Sequence, residues 1–129
     1  MSQNTQLPSE MTIGGCTYEI LNFLKGDEKC VDGRTMLMRA KKMNAHLGFE
    51  DGEHLMIHQD EIPVMLRDEV SFIFTAWKNR DRRRSNVTCV CWRGDYWDGG
   101  NVYTFEGYWT GDYRVLRRKS NPSSSQSDK

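Results

Sequence analysis

Val70-Ser71-Phe72-Ile73-Phe74-Thr75-Ala76-Trp77 is the stretch whose reading decides the fold. It is made of β-branched, aromatic and small residues that alternate between two faces. Val70, Phe72, Phe74 and Ala76 take one face; Ser71, Ile73, Thr75 and Trp77 take the other. Three more runs of this kind follow at 87–92, 101–109 and 113–119. In the first of them Val87, Cys89 and Cys91 alternate with Thr88, Val90 and Trp92; in the second Tyr103, Phe105 and Trp109 fall together. Consecutive strands joined by connections this short pair antiparallel. All four tryptophans, Trp77, Trp92, Trp97 and Trp109, lie in this half of the chain.

Upstream the period changes. Met36, Ala40, Met43 and Leu47 recur at helical spacing, with Arg39, Lys41 and Lys42 off that stripe. Asp32 or Thr35 can cap the start of this helix, and Gly48 its end. A second helix is predicted over 51–62, where Glu50, Asp51 and Glu53 favour the N-terminal dipole. Leu55, Gln59 and Ile62 form its buried edge, and Pro63 stops it. Still earlier, 11–13 and 17–24 read as strands about Gly14-Gly15, with Cys30-Val31 as a return strand of an N-terminal hairpin. Helices kept apart from strands predict an α+β domain: two helices packed on one face of a mainly antiparallel sheet of four or more strands.

The length, 129 residues, suits one domain, expected over 11–119. Tails at 1–10 and at the Ser-rich 120–129 carry almost no large apolar residues and are expected to be disordered. No apolar run approaches the ~20 residues that cross a bilayer. No basic-then-apolar leader opens the sequence, so the expected compartment is the cytoplasm, with no membrane partner. Cys16, Cys30, Cys89 and Cys91 form no pair of CxxC knuckles and read as reduced, small apolar residues.

A net charge of zero conceals an asymmetry. Residues 1–70 carry 7 Lys+Arg against 12 Asp+Glu, and residues 71–129 carry 11 against 6. Two halves of opposite sign first suggest charge pairing within the fold, and second an interaction surface.

Three functional readings follow. The first is a non-enzymatic binding module for a protein or small ligand, using turn and strand aromatics Trp92, Tyr96, Trp97, Tyr108 and Trp109 as anchors. On that reading Trp97→Ala spares the fold. The second is a nucleic-acid contact through the basic loop bearing Lys78, Arg80, Arg82, Arg83 and Arg84, extended by Arg114, Arg117, Arg118 and Lys119. No complete nucleic-acid motif accompanies it. The third is a small metal-dependent or cysteine enzyme. His54 and His58 share a helix face four residues apart, but Leu55 stands where the zinc-protease pattern needs Glu. It ranks last, because no triad, carboxylate pair or cofactor loop is legible; no cofactor is expected.

Overall fold

The computed structural model of the chain describes residues 7–78, 86–104 and 107–119, with backbone alone at 86 and 100–104. Its elements in order are β1 (Glu10–Ile13), β2 (Cys16–Leu21), β3 (Cys30–Asp32), α1 (Gly33–Lys42), α2 (Phe49–Ile57), 3-10 turns at Gln59–Glu61 and Val64–Leu66, β4 (Ser71–Phe74), β5 (Asn86–Trp92), β6 (Trp97–Thr104), β7 (Tyr108–Thr110) and β8 (Tyr113–Arg118). The fold is α+β. Six strands form a sheet in the order β1-β2-β8-β4-β5-β6, and β3 pairs with β7 in a separate ribbon. Every pairing is antiparallel except β4 with β8, where Ile73 lies beside Val115 in parallel. No helix among the described residues is long and apolar enough to cross a membrane.

Strand alternation divides the core in two. Phe72, Phe74, Val90, Leu116, Tyr18, Ile20, Met11, Ile13 and Trp97 pack with Leu55 of α2 and with Ile62 and Leu66 beyond it. Their neighbours one residue along, Ile73, Val115, Cys89 and Val87, pack with Met36 and Ala40 of α1 and with Val31 and Trp109 of the ribbon. The two helices therefore lie on opposite faces of the sheet, which corrects the expectation that both cover one face. The reason is that both faces of these strands are apolar, so each needs its own cover.

The sheet is also curled. In a flat sheet six strands at ~4.8 Å spacing would hold β1 and β6 about 24 Å apart. Here His54 reaches the carbonyl of Ile13 at the end of β1, while Gln59 bonds the backbone of Trp97 at the start of β6. Five helical residues span only about 8 Å. The segment from α2 to Leu66 thus bridges the gap between the two edge strands, and the α2 side of the sheet is its concave side.

Local chemistry fixes the boundaries. Asp32 caps α1, its Oδ1 accepting from the N–H of Thr35 at 2.8 Å. The helix ends at Lys42, five residues before the expected Leu47, because Asn44 turns the chain with φ 61. Gly48 instead precedes α2, in extended conformation. Leu47 accordingly joins the concave cluster, whereas Met43 stays with α1. Gly52 lies inside α2 because a Cβ there would run into the ring of Trp77. The first hairpin turns on Gly14 and Gly15, both at positive φ, a geometry that matches strand twist.

Several strand expectations shift. β3 pairs with β7, not with β2, so Cys30-Val31 is no part of an N-terminal hairpin. β4 stops at Phe74; a turn then carries Trp77, by its N–H to the Phe74 carbonyl, onto the concave side, away from Ile73. The run 101–109 is two elements, with Gly107 at φ 128 before β7. At the N-terminal end Leu7 packs on the concave cluster and Glu10 already belongs to β1, so the structured chain begins before residue 11. All four cysteines are free thiols.

Candidate functional site

The aromatic anchors separate once folded. Trp97 is wholly buried, tilted against Phe72 at 5.5 Å between ring centres and edge-on to Trp92 at 5.6 Å. Trp109 is buried on the convex side against Tyr113. Neither is offered to a partner in the folded chain, because one sits under the α2 segment and the other under α1. Tyr96 is 49% exposed and Tyr108 76% exposed, but they belong to different sheets: Tyr96 to the β5–β6 turn, Tyr108 to the ribbon. Trp92 is half-buried where β5 ends.

At that end of the sheet lies a pocket of about 220 Å³, lined by Asp68, Glu69, Val70, Ser71, Trp92 and Asp112. Its shape follows from the chain path. The turn after Leu66 closes with Glu69 and Val70 both donating to the Leu66 carbonyl, at 3.1 and 3.2 Å. Asp68 holds the left-handed backbone this turn requires, φ 64. Ser71 then donates to the Asp112 carbonyl at 2.9 Å, which fixes the start of β4 beside the start of β8. Three acidic residues thereby line one pocket together with Trp92. The guanidinium of Arg67 stacks 4.2 Å over the Trp92 ring and holds it in place. Two buried donors next to Trp92, Arg67 Nε and Trp97 Nε1, have no partner among the described residues.

The histidines are committed elsewhere. His54 Nε2 donates to the Ile13 carbonyl at 2.7 Å, and Glu61 Oε1 accepts from the Gly14 N–H at 2.7 Å. His58 packs against Gly14 and lies 4.8 Å from the His54 ring. These groups clasp the first hairpin to the α2 segment. Among the described residues no group of three or more His, Cys, Asp or Glu side chains is placed to hold a metal. Cys89 is buried in the convex core, and burial pushes its thiol up, away from thiolate reactivity.

The C-terminal cations are largely paired within the fold. Arg117 bonds Glu19 at 2.6 Å, Arg118 grips Asp51 through two bonds of 2.9 Å, and Lys119 bonds Glu10 at 2.5 Å. Asp51 also accepts from the Tyr18 hydroxyl at 2.8 Å; burial first, and this bond second, push the Tyr18 phenol up. Each ion pair joins the acidic first half to the basic second half, so much of the charge asymmetry is internal complementarity. Of Arg114, Arg117, Arg118 and Lys119, only Arg114 forms no close ion pair among the described residues; burial lowers it from its ordinary value, and the nearby Asp112 charge opposes that shift. Of the basic loop Lys78 is exposed; Arg80, Arg82, Arg83 and Arg84 lie outside the described residues.

Trp92 was legible in the sequence as a candidate, but its neighbours were not. Asp68, Glu69 and Asp112 carry no spacing that marks them, since β4 and β8 bring them together only through their parallel pairing. Comparison with protein families, curated proteins and solved structures finds no match to this chain.

Proposed function

We propose that the protein is a non-enzymatic binding module whose pocket at Trp92 takes a cationic group, the ammonium or guanidinium of a partner's lysine or arginine side chain. The observation that carries this reading is that three acidic residues, Asp68, Glu69 and Asp112, line one cavity with Trp92. A cation there gains charge-assisted hydrogen bonds from the acids and lies beside the indole, one face of which Arg67 already covers, while its alkyl stem lies on Val70. Tyr96, on the adjoining hairpin, adds exposed aromatic surface at the same end of the sheet. A non-enzymatic role is supported by two of the histidines, each of which gives one ring nitrogen to a structural hydrogen bond, His54 to Ile13 and His46 to Thr75.

Titration of the full chain by NMR with short peptides carrying one arginine or lysine tests it. The expected result is saturable shifts at the Trp92 indole that weaken with added salt. They should diminish in Asp68→Asn and Asp112→Asn, both at exposed positions where the fold tolerates the change. Equal shifts with glutamate peptides, or unchanged binding in both variants, would overturn the reading.

A further inference from the structure

A second cavity opens on the convex side, far from Trp92 in the chain and opposite in sign. It measures about 100 Å³ and is lined by Asn22, Phe23, Leu24, Lys25, Arg39, Lys42 and Met43. Its walls are apolar, from the end of β2 and the last turn of α1. Arg39 braces it: its Nη1 donates to the Phe23 carbonyl at 2.9 Å, and the guanidinium pairs with Glu28 at 2.7 and 3.2 Å. Glu28 also accepts from the Lys25 N–H at 2.7 Å, which folds the 25–28 turn over the slot. Arg39 is thereby neutralised. Lys25 and Lys42 are exposed and line the slot; neither forms a close ion pair among the described residues, although the Lys25 charge is felt by Glu28.

We infer that this slot binds a short aliphatic carboxylate, its hydrocarbon end between Phe23, Leu24 and Met43 and its carboxylate between the ammonium groups of Lys25 and Lys42. Size limits the ligand. A 150 Å³ apolar cavity holds benzene, so about 100 Å³ takes a chain of roughly four carbons. Charge selects its head group: two lysines outside any close ion pair line an apolar slot whose arginine is already matched by Glu28. An alcohol of the same shape gains only the floor, and an amine meets repulsion at the mouth.

Isovalerate, isoamyl alcohol and isoamylamine are the probes, titrated into the full chain with the methyl groups of Leu24 and Met43 observed by NMR. The expected order is isovalerate, then the alcohol, with the amine weakest. Salt should weaken isovalerate alone, and Lys25→Gln with Lys42→Gln should weaken it about tenfold while leaving the alcohol unchanged. The inference is overturned if the Leu24 and Met43 methyls do not respond, if amine and carboxylate bind alike, or if the double variant binds isovalerate as tightly as the native chain. Both lysines are surface residues, so a circular dichroism spectrum identical to that of the native chain is expected and keeps the comparison valid.

Discussion

The two faces of the sheet are covered in different ways. On the concave side the α2 segment is tied down by polar bonds: His54 to Ile13, Glu61 to Gly14, Gln59 to both backbone groups of Trp97, and Asp51 to Tyr18 and Arg118. On the convex side α1 sits chiefly on apolar contacts with Ile73, Val115 and Cys89. The difference follows from what each helix meets. β4, β8 and β5 are paired on both sides, so their backbone groups are satisfied and need only an apolar lid. β1 and β6 are edges, and their unpaired N–H and C=O groups need partners when buried. Polar side chains gather where the ladder ends.

The largest blow to this arrangement is Trp97→Ala. It empties a fully buried indole from the concave core and is expected to cost about 3–5 kcal/mol in chemical denaturation. A variant as stable as the native chain would mean that Trp97 is peripheral after all. Next come Leu55→Ala and Met36→Ala, one under each helix, each expected to cost about 2–5 kcal/mol. Because the sheet separates them, the double variant should equal the two singles within about 0.5 kcal/mol. Strong coupling would show that the faces are not independent.

Gln59→Ala tests the edge chemistry itself. It leaves the N–H and C=O of Trp97 without their partners and should cost about 1–3 kcal/mol, with faster amide exchange at Trp97. Gln59→Glu keeps the acceptor and loses the donor, so it should fall between alanine and native. The smallest effect is on the convex side. The Arg39 guanidinium, then the Lys25 N–H, hold the Glu28 carboxyl well below its ordinary value of 4.5, at about 2. Its folded-state value is depressed, so its contribution is complete above 4.5 and is lost as pH falls toward 2. Glu28→Gln should therefore be slightly less stable than native at neutral pH, and the two melting curves should converge near pH 2.

Side-chain alternation was the part of the fold that could be read in advance. Phe72 and Phe74 against Ile73, and Val87, Cys89 and Cys91 against Val90 and Trp92, divide as their spacing predicts. What alternation cannot contain is which helix covers which face, or that Cys30–Asp32 pairs with a strand far along the chain. Those depend on non-local contacts whose sequence marks are weak. Trp97 misled for a related reason. It follows a Gly-Asp-Tyr turn and looks exposed, yet the residues that bury it, Gln59 and Leu66 among them, lie some thirty or more positions upstream. The acidic pocket was hidden in the same way, its acids split between an adjacent pair, Asp68 and Glu69, and Asp112 more than forty positions on.

The place of β8 between β2 and β4 has a consequence for the making of the chain. It is the last strand described, yet it is the seam of the six-stranded sheet. Until it emerges during synthesis, the β1–β2 hairpin and the β4–β5–β6 meander have no ladder between them. Val115 and Leu116 then supply both cores at once, one residue to each. A ribosome-bound chain ending at Asp112 should hold two half-sheets with apolar faces in water, targets for a chaperone, and the domain should close only after the final strand is free to enter.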